Sequence, residues 1–338
     1  MEKNEEKKYV FTKRNFYTTN DAGKVYLLVL LITLFVSLIF ALICTSVAKN
    51  MQIDAGDQNL LQYLFDHYLW FSIPMSILTP LCMALIFFAY NGIYGISNKS
   101  AKFSFKNVKI STLSISAGVG ILGVFGFILL IEGVFGNMFH AFGVGGSSMN
   151  LPNNTIGWLF VNLFLSAVIP PICEELIFRG VVYNGLKRNF SVVPSVLISA
   201  LLFALMHQNI TQFVYPFVLG IVLAVVYEKT GNLIYSIIIH MFNNATTLVL
   251  DFLINKNIIH LNLIGMPWWM YILGIVIACA MCAIYVLLYK FHFSRYQKVE
   301  IADEGQELDI KVRSIGKMPL VVIFGGVLAL FFIVLNLT

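Results

Sequence analysis

Five ionisable side chains stand in apolar stretches where lipid rather than water would surround them: Glu174, Glu175, Arg179, His207 and His240. Lipid does not solvate charge, so a group of this kind is a functional candidate by default. Glu175 and Arg179 stand at i, i+4 with the acid first, the favourable order for an ion pair on a helix. Successive helical residues point about 100° apart, so Glu174 faces away from its neighbour and has no cation in its own helix. Taking a carboxylate out of water makes it a better base near neutral pH. His207 ends the run "FALMH" and His240 begins "HMFNN", with Asn244 four residues on and on the same helical face. A glutamate beside a histidine can take a proton from water and return it to a leaving amine. A second histidine, with an asparagine on its face, can donate hydrogen bonds to the oxyanion that forms when water attacks an amide. The chemistry these residue types suit is hydrolysis of a peptide bond at membrane depth. Each residue alone has a plainer reading, since a single intramembrane histidine more often bonds one helix to another. Glu132 and Asp251 also fall in apolar runs, but near the outer ends, where they can reach the interface.

The elements that must bring these groups together are membrane helices. Of the 338 residues 59% are hydrophobic and 12% charged, with a mean hydropathy of +0.83, whereas soluble domains carry about 25% charged residues. Apolar blocks suited to spanning fall at about 25–47, 69–90, 112–134, 156–186, 193–208, 213–228, 233–251, 267–290 and 318–337, giving an all-α, polytopic bundle of about nine spans. The first block follows a polar tail and lacks a small-residue cleavage site, so it reads as a retained span. Lys and Arg alternate between successive loops, being dense in the tail (Lys3 to Lys24), in 91–111 (Lys99 to Lys109), at Lys187 and Arg188, and from Lys290 to Lys317. That alternation predicts a cytoplasmic N-terminus and an outer C-terminus. The chain then divides into a cytoplasmic tail (1–24), N-terminal spans (25–150), a core bearing the candidate residues (151–255) and C-terminal spans (256–338) with a cytoplasmic loop at about 291–317. Pro170 and Pro171 precede the glutamates and should break or kink their helix, opening room for water. Counting about 1.5 Å per residue from the ends near Arg188, Pro194 and Asn232 puts Glu174, His207 and His240 roughly 21, 20 and 12 Å deep. Tilt and kinks can bring them to one cavity.

Other classes are less well served. The net charge of +5 resides in loops, and no basic stripe interleaved with aromatics suggests a nucleic-acid partner. Cys44, Cys82, Cys173, Cys279 and Cys282 all lie in apolar segments, where they read as free thiols rather than a disulfide framework. Cys279 and Cys282 form a CxxC, but no second Cys or His pair stands near it to complete a metal site. "FGVGGSSMN" (142–150) reads as an outer loop, and "MPWWMY" (266–271) as an aromatic interfacial anchor. A transporter or channel could use buried acids and histidines as a proton relay, but no repeated halves are visible. A non-catalytic scaffold that binds a partner in the same cavity is a third reading.

Three patterns now stand in order: "EELIFR" (Glu174 to Arg179), "FALMH" (Phe203 to His207) and "HMFNN" (His240 to Asn244). Together, as EExxxR, FxxxH and HxxxN on successive apolar segments, they closely resemble the CPBP family of CAAX proteases and bacteriocin-processing enzymes, also called the Abi family. The resemblance covers about residues 155–250. It implies an intramembrane endopeptidase in which Glu174 and His207 activate water and His240 and Asn244 form the oxyanion site. Glu175, Arg179 and Phe203 would support them, and Asn243 competes with Asn244 for its role. The substrate implied is a hydrophobic or lipidated peptide, such as a prenylated CAAX tail, a maturing secreted peptide or a bacteriocin. The composition suits a prokaryotic plasma membrane. No cofactor is favoured. Glu174, His207 and His240 would be the ligands of a catalytic zinc, since His₂Glu is an established set. However, the chain has no HExxH, and the i+4 partner of His240 is an amide, a poor zinc ligand and a good oxyanion donor.

Overall fold

At membrane depth a chain must satisfy its backbone hydrogen bonds within each segment, which leaves the helix as the natural form for long apolar runs. In the computed structural model, which describes residues 13–54, 68–106, 108–127, 155–208 and 213–259 with a few single positions beyond them, the architecture is all-helical. The helices are α1 (Thr19–Asn50), α2 (Leu69–Ile93), α3 (Ile110–Phe127), α4 (Ile156–Leu186), α5 (Val192–Met206), α6 (Val214–Thr230) and α7 (Leu233–Asn255). Among the described residues no strand forms, and one isolated bridge pairs Arg14 with Ile96.

Four of these helices, α1, α2, α4 and α7, are long and apolar enough to cross a membrane, and α3 and α5 contribute shorter apolar helices. Seven of the nine expected spans therefore coincide with helices. Apart from single positions, those at 267–290 and 318–337 lie outside the described residues, as do the loops at 137–154 and 291–317, Glu132, Cys279 and Cys282. Large apolar side chains on the outer faces, such as Phe35, Leu42, Leu85 and Phe160, are exposed in the isolated chain, as a lipid-facing belt requires.

Local sequence sets where the helices begin and end. Thr18 caps α1, accepting from Asp21 N while the Asp21 side chain accepts from Thr18 N, a reciprocal capping box. Gly231 ends α6 with φ +64°, a left-handed conformation that costs glycine little, and Asn232 at once caps α7 by accepting from Ile234 N. This two-residue connection forces α6 and α7 to lie side by side. The core gathers Tyr26, Val29 and Leu30 of α1, Met83 and Phe87 of α2, Ile177, Phe178 and Val182 of α4, and Phe203 of α5. At its centre the apolar rule is broken. Arg179 is fully buried, and so is Glu175.

Candidate active site

The acids are carried by α4, which is regular at neither end of their turn. Its backbone takes the wider π form at Leu163–Val168 and again at Leu176–Tyr183, with Pro170 and Pro171 in the α-helical stretch between. Single π turns inside α-helices occur frequently at functional sites. The prolines predict a break or a kink, and the helix runs unbroken through them from Ile156 to Leu186. What they remove is hydrogen bonding. The carbonyl of Ser166 would bond the N–H of residue 170 in an α-turn or 171 in a π-turn, and proline supplies neither. Asn244 Nδ2 on α7 takes that vacancy, donating to Ser166 O at 3.2 Å.

Glu174 and Glu175 diverge as their succession in a helix requires. The Glu175 side chain is wholly buried, while Glu174 keeps 19% of its surface exposed. Arg179 Nη1 donates to Glu175 Oε1 at 2.5 Å, and Nη2 donates to the carbonyl of Gly220 on α6 at 2.9 Å. A Cβ at 220 would lie 3.0 Å from Ala200, tighter than an ordinary contact, so glycine eases the close approach of α5 and α6 that brings that carbonyl within reach. The guanidinium lies over the Phe203 ring, 4.7 Å from its centroid. The ion pair is thus wrapped by one carbonyl and one aromatic face. Still, Glu175 Oε2 and Arg179 Nε are buried with no hydrogen-bond partner.

Both histidines meet this assembly. The Phe203 ring packs edge-on against His207 and His240, with centroids 5.1 and 5.7 Å away, which gives a physical task to the aromatic of "FALMH". Helix α5 stops at Met206 and His207 is its C-cap, so His207 lies at the helix end rather than within the expected 193–208 span. There Phe203 O is one of the carbonyls a helix terminus leaves without a partner, and His207 Nδ1 lies 3.0 Å from it. A carbonyl only accepts, so the ring proton sits on Nδ1 and Nε2 offers a lone pair. Glu174 and the His240 ring both lie within electrostatic reach of it. His207 is exposed at the helix end.

His240 is buried between the two acids. Its Nδ1 is 3.2 Å from Glu175 Oε1 and its Nε2 is 3.7 Å from Glu174 Oε2. One ring therefore touches both carboxylates through opposite nitrogens, an arrangement that spacing within the "EE" pair did not reveal. Asn244 and Asn243 are joined, Asn243 Nδ2 donating to Asn244 Oδ1 at 3.2 Å, and Tyr215 of α6 donates its hydroxyl to Asn243 Oδ1. Asp251 lies farther along α7 and is half-buried. Three contributors escaped the sequence reading: Tyr215, the Gly220 carbonyl and the Ser166 carbonyl. Only the last had a signal, since a Pro-Pro pair frees the carbonyl four residues before its first member.

A zinc ligand set would need Glu174, His207 and His240 gathered around one point. Among the described residues no three His, Cys, Asp or Glu side chains group as a metal site would need. The Nδ1 atoms of His207 and His240 face Phe203 O and Glu175, which leaves Nε2 as the open nitrogen of each ring.

The helices and this buried polar cluster describe an integral membrane protein with an ionisable site in its helical core. Comparison with known families adds a more specific kinship. Residues 156–246 match the family described as type II CAAX prenyl endopeptidase Rce1-like, and with it the CPBP/CAAX proteases that the three motifs resemble. The matched segment contains Glu174, His207, His240 and Asn244 and supports peptidase activity at the level of the family. No curated protein and no solved structure matches the chain.

Proposed function

We propose that this chain is an intramembrane endopeptidase that hydrolyses a peptide bond of a hydrophobic or lipidated substrate, with a prenylated CAAX-type tail as the first candidate. The observation that carries the reading is the placement of one imidazole between two unequal carboxylates, with a second imidazole nearby. Glu175, locked to Arg179, holds His240 through Nδ1, and Glu174 is left partly open beside Nε2.

Water bound between Glu174 and His207 gives its proton to the Glu174 carboxylate as its oxygen attacks the scissile carbonyl carbon. His207 Nε2, acceptor by virtue of the Nδ1 contact with Phe203 O, orients that water. The carbonyl oxygen becomes an oxyanion. His240 is held by Glu175 through Nδ1 and presents its Nε2 side to the oxyanion, and an Asn244 Nδ2 hydrogen is the second donor. When the tetrahedral intermediate collapses the C–N bond breaks, and Glu174 returns its proton to the leaving amine. Glu175, Arg179 and Phe203 set positions and do not react. No step needs a metal. Nine spans, a cytoplasmic N-terminus and an outer C-terminus, supported by the alternation of basic loops, and a prokaryotic plasma membrane, suggested by the composition, complete the proposal.

The test is cleavage of a farnesylated CAAX peptide by the full chain in proteoliposomes, with and without a strong chelator. The wild type should cut and chelation should leave the rate unchanged. Loss on chelation with recovery on adding zinc would reverse the metal-free assignment. Undiminished cleavage by Glu174→Gln would remove the peptidase mechanism itself.

A further inference from the structure

A side-chain amide can donate to an oxyanion only while its nitrogen, not its oxygen, faces the reacting atom. The two ends differ little in shape, so something must fix which way the amide points. For Asn244 the structure supplies a fixed direction from both sides. On one side its Nδ2 donates to Ser166 O at 3.2 Å, the carbonyl that Pro170 and Pro171 leave without a helical donor. On the other, its Oδ1 accepts from Asn243 Nδ2 at 3.2 Å. Asn243 in turn is oriented by the Tyr215 hydroxyl, which donates to its Oδ1. Hydrogen bonds therefore run in one sense, from Tyr215 to Asn243 to Asn244 to the Ser166 carbonyl.

We propose that Tyr215 and Asn243 are positioning residues of the oxyanion site, holding the Asn244 amide so that its second N–H is presented to the reacting carbonyl oxygen. This inference rests on the peptidase reading and adds to it two residues that touch no reacting atom. The physical case is one of reversal. If the Tyr215 donor is lost, the Asn243 amide can turn over and offer its oxygen to Asn244. The Asn244 oxygen is then repelled, and only the Ser166 carbonyl resists its turning over. Asn243 is buried, so water is a poor substitute for the missing hydroxyl. The chain also links α6 to α7 and α7 to α4, so it ties three helices at the level of the site.

The experiment is a double-mutant cycle on the full chain in proteoliposomes, read as kcat and KM for a farnesylated CAAX peptide. Asn244→Ala alone should lower kcat by about 10²–10³, the usual cost of one oxyanion donor. Tyr215→Phe alone should lower kcat by about tenfold, because the Ser166 carbonyl still holds the amide in part, and KM should stay within about twofold. Placed in the Asn244→Ala background, Tyr215→Phe should cost nothing further. A wild-type rate for Tyr215→Phe, or a loss that simply multiplies with that of Asn244→Ala, overturns the positioning role while leaving the peptidase reading intact. If Tyr215→Phe does not accumulate in the membrane, Asn243→Ala interrupts the same chain and is read by the same cycle. If Asn244→Ala itself cuts as fast as wild type, the oxyanion assignment fails and this inference falls with it. A wild type that cuts no peptide overturns both.

Discussion

Two polar clusters in this molecule each pair a carboxylate with an arginine and treat the carboxylate differently. At the N-terminal end of α1, Asp21 is bonded through both oxygens. Oδ2 accepts from Arg14 Nη2, Thr18 N and Thr18 Oγ1 at 2.7–2.8 Å, and Oδ1 accepts from the Tyr90 hydroxyl at 2.8 Å. In the core of the bundle, Glu175 Oε1 receives both Arg179 and His240, while Oε2 receives nothing. One residue away, Glu174 faces a histidine at 3.7 Å, too long for a hydrogen bond. In the first cluster both carboxylate oxygens are partnered. The second is incomplete at the positions where a reaction would need room. A polar group left short of partners in an apolar core is costly, so its presence argues for use rather than for stability.

That contrast can be broken or sharpened by substitution. The largest effect is expected for Glu174→Gln, which removes the proposed base and keeps its shape. Cleavage should fall by roughly 10³-fold or more with membrane abundance unchanged, measured as product from a farnesylated peptide. Next comes the buried pair. Arg179→Met leaves Glu175 as an uncompensated charge and should cost about 3–5 kcal/mol, seen as a large drop in the melting temperature of the detergent-solubilised protein. If Arg179→Met melts like wild type, the pair does not lock Glu175 in place as described above. Asp21→Ala should cost roughly 2 kcal/mol by removing a capping box and stranding the Tyr90 hydroxyl, with kcat untouched. A fall in kcat there would mean that the two clusters are not separate. The smallest effect is expected for Lys187→Ala. Its ion pair with Glu228 spans 2.6 Å, but the side chains are 34% and 20% exposed, and such pairs contribute about 1 kcal/mol or less.

Much of this arrangement was legible from residue spacing. Seven apolar runs became helices because lipid-depth backbone has little alternative. Glu175 and Arg179 paired because i, i+4 on a helix leaves them adjacent. The divergence of Glu174 from Glu175 also followed from helical geometry. What spacing could not supply were contacts set by how helices cross. The depth count put His240 well above Glu174, yet their side chains meet. Nothing in "HMFNN" foretold that one ring would touch both carboxylates. Tyr215 sits in an ordinary apolar run, and its partner lies 28 positions away. The Pro-Pro pair suggested a broken or kinked helix. In the fold the chain stays helical through π turns, and the prolines act by what they fail to donate.

That last feature has a practical corollary for anyone scanning this region by mutagenesis. The anchor for Asn244 on α4 is main-chain oxygen, so replacing the Ser166 side chain leaves it in place and the position will look dispensable. The vulnerable letter is Pro170, where an ordinary residue would hand the oxygen a neighbour from its own helix and draw it away from the amide across the groove.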